Sequence, residues 1–273
     1  MPVYNCEEYV QASIESILSQ SFTNFELLVC DDASTDQTLK LVEHYAKIDN
    51  RVKILQNEKN LNVAATLNKL IDASNGYYLA RHDGDDIAYS TRLDRQLSYM
   101  EDQNIDLCFT RAHVVDESGE VICNYYTPDL DSCLKWLERK VYFVHPTMMS
   151  RKEVFQIYGN YRTDYGNRED KELWLRLRGN IRFGLLEDFL HGLRMNLSSV
   201  THTIHGKLES EYKYEAAKSC LRNFDLKHYG SYKKRLSGLS GLKLSLAKFL
   251  RYYKIREFSR LHLPLVANLI WRF

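Results

Sequence analysis

The chain lacks the cysteine patterns that staple or metallate small domains. Its six cysteines, Cys6, Cys30, Cys108, Cys123, Cys133 and Cys220, form no CxxC pair, and no succession of basic, apolar and small residues typical of a secretory leader precedes them. Reduced thiols in a cytoplasmic protein are therefore expected. No apolar run approaches the roughly 18–20 residues that a membrane-spanning helix needs, so a bilayer crossing is not expected. Neither GxGxxG nor GxxxxGK occurs, which removes the glycine-rich fingerprints of dinucleotide and Walker-type phosphate sites. A formal net charge of +1 argues against a generally basic nucleic-acid binder. That figure averages an acidic first hundred residues with a basic tail.

At 273 residues and 44% hydrophobic content, the chain can bury a substantial core as one large domain with an appendage. Its most unusual stretch is Arg81-His82-Asp83-Gly84-Asp85-Asp86, directly after the strand-like Tyr77-Tyr78-Leu79-Ala80. Carboxylates so close repel one another, and a divalent cation held at the strand end would offset that repulsion. A solvated acidic turn is the other reading of these six residues.

The surrounding chain alternates helix and strand signals. Met1-Pro2-Val3-Tyr4-Asn5 reads as the end of a strand entering a loop, with most of that first strand missing. Val10, Ile14, Ile17 and Leu18 recur at helical spacing, with Glu7 and Glu8 expected in the first turn. Phe25–Cys30 reads as a buried strand running into Asp31-Asp32-Ala33-Ser34-Thr35-Asp36, where Ser34 and Gln37 have capping-box spacing. Val52–Leu55 is a strand; Val63, Leu67, Leu70 and Ile71 mark a helix that Gly76 closes; Tyr77–Ala80 follows as a strand. This alternation predicts parallel strands joined by right-handed crossovers, with Tyr4-Asn5, Asp31 to Asp36 and Asp83 to Asp86 on one edge of one sheet. Beyond it, Arg92 to Met100 predicts an amphipathic helix, Asp106–Phe109 a strand, and Val114-Val115 with Val121–Cys123 a hairpin in a mixed sheet. Trp136, between Leu134 and Leu137, reads as a packing residue.

Taken in order, Pro2-Val3-Tyr4-Asn5, Gln20-Ser21-Phe22, Asp31 to Asp36, Asn60, Asn68, Gly76 to Arg81, Asp83-Gly84-Asp85-Asp86, Arg92-Leu93 and Gln96 resemble the family-2 glycosyltransferases of GT-A fold. Later motifs extend the likeness over about the first 200 residues: His145-Pro146-Thr147-Met148-Met149, Gly159-Asn160-Tyr161 and Asn167 to Leu175. The resemblance implies an α/β catalytic domain over 1–205, Rossmann-like, with a mostly parallel and then mixed sheet. A helical basic extension would occupy 206–273.

It also implies roles. Pro2, Tyr4 and Asp32 would border the nucleotide base and ribose of a nucleotide-diphosphate sugar, with UDP the expected nucleotide. Asp83-Gly84-Asp85 resembles the DxD motif that holds Mg²⁺ or Mn²⁺ against the two phosphates; Asp85 would be the main ligand, and Asp83 a second ligand or a ribose contact. Asp86 would support this shell, line the sugar side, or cap the next helix. Arg81 would meet phosphate or form a surface ion pair. His145 would lie on an H-P strand at the donor-sugar and acceptor side. Glu169-Asp170 resembles the ED motif, Asp170 being the base for inverting transfer and Glu169 orienting the acceptor. Where the family has a histidine after R-x, this chain has Asn196, a possible third metal ligand, with His191 a displaced alternative.

From Lys227 to Phe273 there are eleven Lys or Arg against one acid, Glu257. Leu239, Leu242, Leu246, Phe249, Leu250 and Tyr253 share one helical face. An anionic membrane surface suits such a helix, which would make the protein peripheral at the inner face of the cell membrane; a helix docked on the catalytic domain is the alternative. The expected function is metal-dependent sugar transfer to a glycan or lipid-linked acceptor, with no nucleic-acid partner. Metal-dependent nucleotidyl transfer and an inactive glycan-binding or scaffold homologue are the other classes that fit the carboxylates.

Overall fold

The protein is described from a computed structural model, which defines residues 1–194. Asn196, the expected boundary near 205 and the basic extension lie outside the described residues. The elements run β1 Pro2–Val3, α1 Val10–Leu18, β2 Leu27–Asp31, α2 Thr38–Ile48, β3 Val52–Gln56, α3 Asn62–Ala73, β4 Tyr78–Ala80, β5 Ile87–Ala88 and α4 Arg92–Asp102. They continue through β6 Leu107–Val115, β7 Val121–Asn124, α5 Leu130–Trp136, a 3₁₀ turn His145–Thr147, β8 Met149–Arg151 and α6 Lys152–Tyr158. A kinked 3₁₀ segment Thr163–Arg168, α7 Glu169–Leu177 and β9 Phe183–Arg194 complete them. Among the described residues no helix is long and apolar enough to cross a membrane.

Two sheets result. β1, β2 and β3 form a parallel sheet, and β4-β8-β6-β9-β5 form a mixed one to which β7 is added by its hairpin with β6. The expected mixed second half is present. The expectation that Tyr77–Ala80 joins the parallel sheet is corrected: β4 pairs antiparallel with β8, Leu79 opposite Ser150. The acidic loop still reaches the end of β1, by packing rather than pairing. A Cβ on Gly84 would come within 2.8 Å of Val3 Cγ1 and 3.0 Å of Cys6 Sγ, so only glycine permits this approach. Ser13 Oγ on α1 donates to the Asp83 carbonyl at 2.8 Å.

The loops after β1 and β2 are bonded to each other. Asn5 adopts φ 45° and Ala33 φ 63°; Asn5 N–H donates to Ser34 Oγ at 3.0 Å, and Thr35 N–H to Asn5 Oδ1 at 2.8 Å. Ser34 therefore does not cap α2, as its spacing predicted. The donors at the start of α2 are met from the other loop and from Asp36: Gln37 N–H donates to Glu7 Oε2 at 2.6 Å, and Thr38 N–H to Asp36 Oδ1 at 2.9 Å. Glu7 and Glu8 consequently precede α1 instead of occupying its first turn. α3 closes at Ser74, whose N–H returns to Ile71 O, and not at Gly76.

Val10, Ile14 and Ile17 of α1 pack with Val3, Val29, Val42 and Val52 over one side of the parallel sheet. The larger core joins α3, α7 and the mixed sheet through Leu67, Phe109, Phe143, Leu173, Trp174, Leu177 and Phe183. Phe109 is its centre, stacked on Phe143 at 4.2 Å and edge-on to Trp174 at 5.0 Å. Phe109→Ala is expected to cost about 3–5 kcal/mol in urea unfolding; a loss below about 1 kcal/mol would contradict that placement. Trp136 departs from its expected packing role: it is 42% exposed, with the Arg139 guanidinium 5.5 Å from its ring centre. Cys6, Cys30, Cys108 and Cys133 are buried free thiols, as expected, whereas Cys123 is disulfide-bonded.

Candidate active site

Asp32 directly follows β2. It is buried, and its Oδ1 accepts from Asn57 Nδ2 at 2.8 Å and from Leu61 N–H at 2.9 Å. These bonds fix the carboxylate plane, and among the described residues no donor is found for Oδ2. Tyr4, by contrast, is 44% exposed at the loop tip, and Pro2 lies half-buried in β1. Asp32 N–H donates to Val3 O at 2.9 Å, so Asp32 is one hydrogen bond from the strand against which Gly84 packs.

The three acids of the next loop have different surroundings. Asp83 is gripped by Arg81, with Nη1 to Oδ2 at 3.0 Å and Nη2 to Oδ1 at 2.9 Å. Arg81 is only 8% exposed, so this is a buried fork and not the surface ion pair considered from sequence. Asp86 is 1% exposed; its Oδ1 accepts from Arg194 N–H at 2.8 Å, and its Oδ2 lies 2.8 Å from His191 Nε2. It does not cap α4, whose N-cap is Thr91. His191 is fully buried in that pair, which corrects its reading as a displaced metal ligand.

Asp85 is the remaining acid, half-buried, and no side chain among the described residues hydrogen-bonds its carboxylate. Burial first, then Asp86 and Asp83, push its carboxyl up to about 8. Such a group favours a cation. Among the described residues no three His, Cys, Asp or Glu side chains converge on one ion position. One open carboxylate oxygen set fits a hard cation that takes its other ligands from water and diphosphate oxygens. On this geometry Asp85 would hold the ion; Asp83 has both oxygens engaged by Arg81.

Two arginines that motif reading left without roles organise this loop. Arg194 Nε donates to the Asp85 carbonyl at 2.6 Å, and its Nη1 donates to Asp116 O at 2.9 Å. Arg92 is fully buried in α4; its Nη2 donates to Arg81 O at 2.7 Å and its Nε to Gln96 Oε1 at 2.9 Å. Its Nη1 faces His191 Nδ1 at 3.4 Å and His82 Nδ1 at 3.5 Å. Burial pushes its guanidinium down to about 10 and holds both histidines neutral. The sequence signal for these contacts was the Arg92-Leu93 and Gln96 pair.

Glu169 and Asp170 open α7, as expected from sequence, with Leu173, Trp174 and Leu177 on its buried face. Glu169 is 6% exposed; its Oε2 is buried without a partner, and its Oε1 lies 3.9 Å from His145 Nδ1. Burial, then Asp170, push its carboxyl up to about 7. Asp170 is half-buried, also shifted upward by burial, and its Oδ1 accepts from Lys171 N–H at 2.6 Å. His145 belongs to the 3₁₀ turn and not to a strand, which corrects the expected H-P strand; β8 begins four residues later, at Met149. Its Nε2 lies 2.8 Å from Tyr161 Oη. Arg81 is in electrostatic reach of Asp83, Tyr161, Glu169 and Asp170.

Residues 1–159 match the model described as "Glycosyl transferase family 2". The chain belongs to this family. Among curated relatives, it is 38% identical to the putative glycosyltransferase EpsE of Bacillus subtilis (strain 168) over 64% of each chain. It is 32% identical to the O-antigen biosynthesis glycosyltransferase WbnJ of Escherichia coli over 82% of this chain and 87% of that one. The alignment thus covers just under two thirds of EpsE and most of WbnJ. The fold is that of TarS 1-349 from S. aureus, solved in complex with UDP-GlcNAc, with a TM-score of 0.63 at 19% identity over 99% of this chain and 76% of that one. The family-2 chain accordingly has the GT-A fold expected from its motif order.

Proposed function

We propose that this protein is an inverting glycosyltransferase that moves a sugar from a UDP-sugar to a hydroxyl of a surface glycan or lipid-linked acceptor. The observation that carries the reading is the division of acids about Arg81. Asp85 has a carboxylate that no described side chain hydrogen-bonds, while Glu169 and Asp170 form a separate pair of carboxyls, and all three are raised above the ordinary carboxylate range. TarS has been solved with UDP-GlcNAc, which favours a uridine nucleotide here.

Asp32 receives a base or ribose hydrogen bond on its open Oδ2, and Pro2 and Tyr4 border the nucleotide. Asp85 would hold Mg²⁺ or Mn²⁺. When bound, that ion would neutralise charge on the departing diphosphate. Arg81 keeps Asp83 fixed and adds positive potential between the two acid groups. The acceptor oxygen attacks the anomeric carbon opposite the diphosphate; the sugar–diphosphate bond breaks, and Asp170 takes the hydroxyl proton. Glu169 orients the acceptor.

Screening UDP-sugars with and without Mn²⁺ tests this reading by its products. UDP release with sugar transfer is expected. Release of a sugar 1-phosphate from the UDP-sugar would establish nucleotidyl transfer instead, and release of neither would leave a glycan-binding homologue. Asp32→Ala is expected to raise the donor KM about tenfold through loss of one charged hydrogen bond, with kcat little changed. The basic tail is proposed to bind an anionic membrane surface at the cytoplasmic face. Deleting residues after Lys227 is then expected to abolish flotation with phosphatidylglycerol vesicles, and unchanged flotation would refute the membrane role.

A further inference from the structure

The buried side of the Glu169-Asp170 pair contains a hydrogen-bond chain with a defined direction. His145 Nε2 lies 2.8 Å from Tyr161 Oη, its Nδ1 lies 3.9 Å from Glu169 Oε1, and its ring meets Trp174 edge-on at 5.4 Å. Burial and the nearby Arg81 keep the imidazole neutral, so only one ring nitrogen carries a proton. The buried Tyr161 phenol keeps its own proton. That proton can go to Nε2 or to Met148 Sδ at 3.7 Å, a weak acceptor. A proton on Nε2 would leave the phenol with only the thioether and aim the Nδ1 lone pair at a carboxylate oxygen. The opposite tautomer removes both faults: Tyr161 O–H donates to Nε2, and Nδ1–H faces Glu169.

We propose that Tyr161 and His145 are positioning residues for Glu169. Tyr161 fixes the Nδ1–H tautomer of His145, His145 restrains Glu169 Oε1, and the unpartnered Oε2, buried in this structure, is thereby the oxygen left to meet a substrate hydroxyl. This inference rests on the reading of Glu169 as the group that orients the acceptor. At 3.9 Å the histidine contact exceeds hydrogen-bond length, and a small rotation of the Glu169 side chain closes it when Oε2 engages its hydroxyl. The support behind Tyr161 is firm: Asn68 Nδ2 donates to Tyr161 O at 2.8 Å, and Tyr161 N–H donates to Asn68 Oδ1 at 2.9 Å.

Glu169 is faced by His145 from the 3₁₀ turn, Tyr161 from the segment after α6, Arg81 and Asp83 from the loop after β4, and Asp170 on its own helix. Tyr161 and His145 are neutral in this set, and Arg81 is already forked onto Asp83. Removing the phenol hydroxyl therefore changes the chain of donors without changing any formal charge.

Tyr161→Phe retains the ring packed against Phe155 and tests the proposal by two measurements on the full chain. In ¹⁵N spectra of the histidine rings, wild type is expected to carry the His145 proton on Nδ1, and the variant to move it partly to Nε2. With the UDP-sugar that supports turnover, UDP affinity and donor KM should stay unchanged while kcat falls about tenfold, as loss of an orienting partner typically causes. The part of the acid limb of kcat that belongs to Glu169, distinct from the Asp170 limb, should move to higher pH, because ionised Glu169 loses a donor. A wild-type proton on Nε2 overturns the proposal, as does a Tyr161→Phe variant that slows turnover without moving either tautomer or acid limb. Full transfer by Glu169→Gln would instead defeat the underlying assignment of Glu169, even with the tautomer as assigned.

Discussion

Asp85→Ala is expected to lower UDP-sugar turnover by roughly a thousandfold, corresponding to about 4 kcal/mol of lost charge stabilisation at the leaving diphosphate. The expectation comes from the unequal fates of three neighbouring acids. Asp83 already has a bidentate cation in Arg81, and Asp86 has His191 and a backbone N–H, whereas Asp85 has neither. The same variant should become more stable in the absence of metal. A carboxyl raised to about 8 in the fold and near its ordinary value when unfolded loses stability as pH rises between those values. Deleting it at pH 7 relieves that cost, so thermal unfolding in EDTA should shift upward, and Mn²⁺ should stabilise wild type but not the variant. Full turnover by Asp85→Ala in Mn²⁺, or a fall in its metal-free melting temperature, would show that Asp85 is a structural acid.

Much of this arrangement could be read from residue order. The helix–strand alternation through β3, the acidic loop and the ED helix each have a local signature: period, capping composition or clustered charge. The pairing of β4 has none. Tyr78-Leu79-Ala80 is too short to distinguish a parallel neighbour from an antiparallel one, and its partner, Met149–Arg151, is some 70 residues away along the chain. The cap of α2 depends on long-range bonds for a related reason. Ser34 has the right spacing, but Asn5 takes its hydroxyl from across the loop and Glu7 supplies an acceptor in return. His191 was drawn toward the metal by motif proximity; its burial beside Asp86 and Arg92 depends on residues from α4 and β9 that no local window contains. Long-range polar bonds, more than core packing, were the illegible part.

Asp170→Asn is expected to leave UDP and Mn²⁺ binding at wild-type levels while reducing transfer by about 10²–10⁴-fold, the range of a lost general base. The amide occupies the same volume and still accepts from Lys171 N–H, so the start of α7 should persist. It cannot take the acceptor proton. A second effect follows from the adjacent acid. Asp170 contributes to holding Glu169 at about 7, after burial itself, so removing its charge should let Glu169 ionise at lower pH. The wild-type rate should fall as pH drops through the raised Asp170 value, because only the ionised form accepts a proton. In the asparagine variant the residual rate should lose that acid limb, leaving at most a weaker one displaced downward and belonging to Glu169. If Asp170→Asn weakens UDP binding as much as it weakens transfer, the residue supports the donor pocket and the base lies elsewhere. If it retains full transfer while Glu169→Gln does not, the proton goes to Glu169, whose buried Oε2 has no hydrogen-bond partner.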